Sequence, residues 1–139
     1  MSDKPFLDTN VVLYLLSEDT AKADRAEALL AAGGTVSVQV LNETVSVMTR
    51  KLKMNLDEIR EVLAGVRHYC TVEPLTAEIH DKALDVMGRH GFSVYDSLII
   101  AAAIWAGCDT LYSEDLQDGF RAGAVLTIVN PFKEGCDAR

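Results

Sequence analysis

Short apolar runs that alternate with stretches of helical periodicity, from Pro5 to Val129, are what most limits the folds open to this chain. Phe6-Leu7 leads into the polar trio Asp8-Thr9-Asn10, and Val11-Val12-Leu13-Tyr14-Leu15-Leu16 follows. This order predicts a short buried strand, then a helix capped by the trio. Thr20 opens a second helix with Ala23, Ala26, Leu29 and Leu30 on one face, closed by Gly33-Gly34, which tolerate the positive φ of a helix stop. Residues 35–38 alternate as a strand does, and from Gln39 the spacing Val40, Thr44, Val47/Met48 and Leu52 is helical. Leu56, Ile59, Leu63 and Val66 predict another amphipathic helix, residues 71–74 are short and β-like, and Ile79, Ala83, Val86 and Met87 predict a further helix ending at His90-Gly91. Ser93-x-x-Asp96 reads as a capping box for a helix over residues 94–106 that is apolar nearly all round, hence central and buried. Strands over 109–113 and 124–129 complete the series, and Asn130-Pro131 stops the last. Such alternation indicates a parallel α/β sheet covered on both faces. No repeat, linker or low-complexity stretch interrupts it, so residues 1–139 read as a single domain, long enough to bury a full core.

Hydrophobic residues make up 49% of the chain and charged residues 24%, which excludes a disordered or fibrous class. Thirteen Lys+Arg against 21 Asp+Glu leave a net charge of −8, which argues against broad electrostatic binding to nucleic acid or anionic lipid. What matters is whether the surplus acid is spread out or concentrated. Cys70, Cys108 and Cys136 are odd in number, without C-x-x-C spacing, and fit a reduced, cytoplasmic setting. The opening residues have no basic and apolar leader, and the longest apolar run, 98–106, is far shorter than the roughly 20 residues a membrane span needs. The expectation is an unexported protein with no membrane partner.

In open α/β sheets ligands collect at the carboxyl ends of the strands. Asp8 closes the first predicted strand, Glu43 lies in the first turns of the helix after the second, Asp96 starts the buried helix, and Asp115 follows the strand ending at Tyr112-Ser113, with Asp118 three residues on. Carboxylates brought together repel and raise one another's pKa unless a cation neutralises them. An all-oxygen set of that density suits Mg²⁺ or Mn²⁺, which orients a water and stabilises an in-line displacement at phosphorus. Each acid also has a plainer reading: Asp8 as an N-cap, Asp96 as the N3 acid of its capping box, Glu43 as an acid favoured in a first helical turn, Asp115 as part of a solvated turn. Four such coincidences at strand ends are harder to accept than one.

The runs Phe6-Leu7-Asp8-Thr9-Asn10, Asn42-Glu43, Tyr95-Asp96-Ser97-Leu98-Ile99-Ile100-Ala101-Ala102-Ala103 and Leu111-Tyr112-Ser113-Glu114-Asp115 together resemble the PIN-domain ribonucleases, and within them the VapC-like toxins of bacterial toxin–antitoxin pairs. Val129-Asn130-Pro131-Phe132 resembles the end of one subgroup. The resemblance implies a three-layer α/β/α sandwich with a parallel sheet of four or five strands. It implies that Asp8, Glu43, Asp96 and Asp115 hold one or two Mg²⁺ or Mn²⁺ ions, that Thr9, Asn10 and Ser113 orient those carboxylates, and that Asp118 is a further, more variable metal position. It implies endonucleolytic cleavage of an RNA substrate to 5′-phosphate and 3′-hydroxyl ends, a cognate antitoxin laid across the site, and a homodimer.

Arg50, Lys51 and Lys53 cluster at the end of the Glu43 helix, either as cations favoured at a helix C-terminus or as a basic rim for the RNA backbone. Tyr69, Tyr95 and Trp105 have faces for base stacking, although Trp105, within an apolar helix, is expected in the core. Residues 11–16 and 56–66 are candidate partner surfaces or simply core-facing. Other readings compete: a catalytically silent binding module on the same fold, an RNA-processing nuclease that is not a toxin, and an aspartyl-phosphate phosphatase with Asp8 as nucleophile, disfavoured because Asn10 stands where the second acid belongs. With the five candidate acids set aside as one pocket, the remaining charge is near balance, so the acidity marks a cation site rather than an aversion to RNA.

Overall fold

The structure, a computed structural model, describes residues 5–123 and 125–133. Cys136 and Ala124 therefore lie outside the described residues. The elements are β1 (Phe6–Leu7), α1 (Thr9–Leu13) continued by a 3₁₀ turn (Tyr14–Leu16), α2 (Thr20–Ala31), β2 (Gly34–Ser37), α3 (Val38–Arg50), α4 (Leu56–Tyr69), β3 (Cys70–Glu73), α5 (Ala77–His90), α6 (Val94–Trp105), β4 (Thr110–Tyr112), β5 (Arg121–Ala122) and β6 (Leu126–Val129).

The sheet has the order β3-β2-β1-β4-β6-β5, parallel throughout except for β5, which pairs antiparallel with β6. Helices cover it to give the expected α/β/α layering. Six strands replace the expected four or five. The additional one, β5, is a two-residue edge strand whose shortness leaves no alternating pattern to read in the sequence.

The central strands are buried on both faces: Phe6, Leu7, Val36, Leu111 and Ile128 have no exposed surface and Tyr112 is 1% exposed. This is why the strands read as continuous apolar runs rather than alternations. On α6 burial is unbroken from Ser97 to Ala103, where three successive alanines allow close approach, and it stops there. Trp105, expected in the core, is 50% exposed, because it is the last residue of α6 and lies past that packed stretch.

The two glycines read as one helix stop have separate roles. Gly33 takes φ +86 just beyond α2. Gly34 is already in β2, where a Cβ would stand 3.0 Å from the Pro5 carbonyl oxygen, so the backbones of β1 and β2 meet closely. At α6 the Ser93 hydroxyl accepts from the Asp96 N–H at 3.1 Å, while a capping box with both halves made forms elsewhere, at Asn55 and Glu58 of α4.

From β1 the chain builds outward through β2 to β3, and β4 returns to the other side of β1. The order thus reverses between β1 and β4, where an open α/β sheet forms its crevice at the carboxyl ends. Asp8 leaves β1 and Ser113 leaves β4 at that point, and the Asp8 N–H donates to the Tyr112 carbonyl at 3.0 Å.

Candidate active site

Asp8 is 4% exposed and serves as N-cap of α1, as its plainer reading had it, but the cap accounts for only one of its oxygens. Oδ1 accepts from the Thr9 N–H at 2.7 Å, and Oδ2 accepts from the Ser113 hydroxyl at 2.7 Å and the Asn10 amide at 3.4 Å. Burial pushes the Asp8 carboxyl up to about 6; the Ser113 and Thr9 hydrogen bonds oppose the rise, and the nearby charges of Glu43 and Asp96 add to it.

Asn10 is the hub between strands. Its Nδ2 also reaches Asp115 Oδ2 at 3.2 Å and Ser113 Oγ at 3.4 Å, and its Oδ1 accepts from the Glu114 N–H at 3.1 Å. The turn after β4 is tied further by the Leu116 N–H donating to Ser113 Oγ at 3.2 Å. Glu43, on α3, accepts from the Thr9 hydroxyl at 2.9 Å and from the Gln39 amide at 3.0 Å. Gln39 is a site residue missed from the sequence. Its place one helical turn before Glu43 on the same face was the available signal.

Asp96 lies half-buried in the first turn of α6. Burial raises its pKa, the Ser93 hydroxyl opposes the rise, and the charge of Asp115 adds to it. The fields of Glu43 and Asp96 on Asp8, and of Asp115 on Asp96, link the four acids from four separate segments in one electrostatic neighbourhood. Asp118 is drawn elsewhere. It accepts from the Asn130 N–H at 2.8 Å and pairs with Lys133 at 3.1 Å, contacts that hold its carboxyl below the usual range.

A cavity of about 560 Å³ opens beside these acids, lined by Glu43 and Asp96 with Gln39, Asn42, Arg50 and Tyr95 among its other walls. Tyr95 is 60% exposed. Of the basic cluster, Arg50 faces this cavity through the helical spacing Glu43, Ser46, Arg50; Lys51 and Lys53, both exposed, are not among its lining residues. A second, more apolar cavity of about 370 Å³ lies between the 3₁₀ turn, α2 and α4, and brings Leu15 and Leu16 together with Val62 and Val66, the ends of the 11–16 and 56–66 segments, whereas Val11 and Val12 face the core.

Among the described residues, the donors that reach Asp8, Glu43 and Asp115 are neutral: backbone N–H, hydroxyls and amides. Carboxylates gathered in this way, one of them buried and raised, are short of positive charge, and hard oxygen donors suit a small divalent cation. Among the described residues, no three His, Cys, Asp or Glu side chains stand close enough to form a ready-made ligand set. The fit is therefore one of charge and donor chemistry.

Residues 6–124 match the sequence profile of the PIN domain. The chain belongs to the PIN domain family. No curated protein matches this PIN domain in sequence. Among solved structures it is similar to Mycobacterium tuberculosis VapC20, described as a sarcin-ricin loop cleaving toxin, at 23% identity and TM-score 0.62 over 81% of this chain and 90% of that one. It is similar to a toxin–antitoxin complex from Klebsiella pneumoniae at 16% identity and TM-score 0.69 over 92% and 98%, and to FitAcB from Neisseria gonorrhoeae at 16% and 0.61 over 91% and 97%. At these identities the likeness is one of fold.

Proposed function

We propose that this PIN domain is a metal-dependent endoribonuclease, the toxin of a toxin–antitoxin pair. The observation that carries the reading is the gathering of Asp8, Glu43, Asp96 and Asp115 from four segments around the β1/β4 crevice, where the donors to Asp8, Glu43 and Asp115 among the described residues are neutral. The activity named for VapC20 and the toxin–antitoxin assembly named for the Klebsiella pneumoniae complex, both of the same fold, support it.

In this reading the four acids hold Mg²⁺ or Mn²⁺, which when bound supplies a Lewis acid for a phosphodiester and for a water. Ser113, Thr9 and Asn10 fix the carboxylates in place. Buried Asp8, already raised to about 6, gains most from a neutralising cation. Tyr95 offers an exposed ring for a base, and Arg50 a guanidinium for a backbone phosphate, in the cavity that Glu43 and Asp96 line. Asp118, engaged by Asn130 and Lys133, has no part in this assignment.

The apolar groove joining Leu15 and Leu16 to Val62 and Val66 is the surface for the antitoxin, and the chain acts as a cytoplasmic homodimer. The test is cleavage of total RNA in Mg²⁺ or Mn²⁺ by the purified chain and by Asp96→Asn. Cleavage by the first and its loss in the second is expected. Cutting by Asp96→Asn at the wild-type rate would remove the site assignment. A wild-type chain inert on RNA but bound by a protein partner would favour the silent binding module.

A further inference from the structure

Glu114 stands between two residues of the proposed site, Ser113 and Asp115, and its own N–H is held by the same Asn10 amide that touches Asp8 and Asp115. A fifth carboxylate is thus attached to the backbone within the acid neighbourhood. Its side chain is nevertheless engaged elsewhere. Glu114 Oε2 pairs with Lys22 Nζ of α2 at 2.9 Å, and Oε1 accepts from the Tyr14 hydroxyl. Lys22 Nζ also donates to the Tyr14 oxygen at 3.1 Å, which closes a triangle of three polar groups.

Two aromatic rings back the triangle. Lys22 Nζ lies 4.5 Å from the centroid of the Tyr14 ring and 5.8 Å from that of Phe132, and the rings meet edge to face at 4.6 Å. Lys22 and Glu114 are only about a third and a quarter exposed at their side chains. A solitary surface ion pair would add little to stability. The value of this one lies in where it keeps a charge.

We propose that Lys22 is a positioning residue that sequesters Glu114, so that the carboxylate adjoining Asp115 stays out of the acid cluster. The inference rests on the nuclease reading of that cluster. Without the ammonium, Glu114 keeps only the neutral Tyr14 hydroxyl and has no counter-charge on the turn that carries Asp115, and a cation draws it in. More negative charge around a divalent ion tightens its binding while displacing it from the arrangement set by Asp8, Glu43, Asp96 and Asp115.

The test uses the full chain and four variants, Lys22→Met, Lys22→Arg, Glu114→Gln and the double Lys22→Met/Glu114→Gln. Calorimetric titration with Mn²⁺ is run beside RNA cleavage and thermal melting. Lys22→Met is expected to lower kcat about tenfold, within the range for residues that orient a site's ligands, with KM unchanged. It is also expected to bind Mn²⁺ about threefold more tightly than wild type, because a carboxylate has been released. Lys22→Arg should behave as wild type, and the double variant should return to the kcat of Glu114→Gln alone. A merely structural tie predicts instead a lower melting point, unchanged Mn²⁺ binding and no rescue. An Mn²⁺ isotherm for Lys22→Met that is identical to or weaker than wild type, or a double variant no more active than Lys22→Met, overturns the proposal. A wild-type chain that fails to cut RNA overturns the nuclease reading, and the Mn²⁺ isotherms, which need no RNA, still decide the role of Lys22.

Discussion

Asp8 and Asp96 bring the same functional group to one crevice and are treated in opposite ways. Asp8 is enclosed at the end of β1, with both oxygens engaged by Thr9, Ser113 and Asn10. Asp96 begins a helix on the wall of a wide cavity, beside an exposed tyrosine. The first is a pre-built end of the site whose desolvation is already incurred in folding. The second is an open end with room for something to arrive. The contrast separates what the fold fixes in advance from what a ligand completes.

The sharpest way to break the comparison is to neutralise each acid in turn. Asp8→Asn and Asp96→Asn should both abolish metal-dependent RNA cleavage, and both should make the metal-free chain more stable at neutral pH, the enclosed Asp8 by the larger amount, about 1–3 kcal/mol in chemical denaturation. The sign follows from Asp8 being raised from 3.8 to about 6. Between those values the folded chain holds a proton that the unfolded chain has released. The associated stability is fully present below about pH 4, is lost as pH rises through about 6, and should vanish from the Asp8→Asn profile. Equal, pH-independent stability in wild type and Asp8→Asn would show that the enclosure of Asp8 carries no cost.

A smaller effect should come from Ser113→Ala, which removes the hydroxyl donor to Asp8 Oδ2 and an acceptor for the Leu116 N–H. Cleavage is expected to fall about 10- to 100-fold. An unaffected rate would mean that the enclosed end tolerates the loss of its support. The smallest effect belongs to the open end. Arg50→Met should raise the Kd for RNA a few-fold and flatten its salt dependence, with a lesser change on charge reversal at Lys51 and Lys53, which lie off the cavity. A larger response at the two lysines than at Arg50 would move the RNA path away from Tyr95.

Much of the fold was legible because the central strands are buried on both faces, so their apolar runs stand out against the helical spacing between them. β5 was not: two residues carry no period. Trp105 was misread because the apolar character of α6 continues one residue beyond the packing that explains it. At the site, strand-end position and residue type pointed to Asp8, Glu43, Asp96 and Asp115; the charges of Glu43 and Asp96 act on Asp8, and that of Asp115 on Asp96. They also pointed to Asp118, which is equally acidic and equally near in sequence. Its hydrogen bond to Asn130 and its ion pair with Lys133 come from a segment whose return only the tertiary fold reveals. Glu114 shows the converse, since nothing in the order Ser-Glu-Asp says which acid will be claimed by a lysine 92 residues away.

Gly34 extends the argument to heredity. It lies in β2, belongs to no part of the chemistry, and matters through an atom it lacks: a methyl there would press on the Pro5 carbonyl, one residue before the two-residue strand that delivers Asp8. A side chain at position 34 can thus disturb the strand that carries Asp8 without touching any acid, unless the two backbones part by a few tenths of an ångström. A genetic screen for inactive variants should return this silent glycine alongside the carboxylates, and a lineage that keeps all four acids but gains a side chain at position 34 need not have kept the activity.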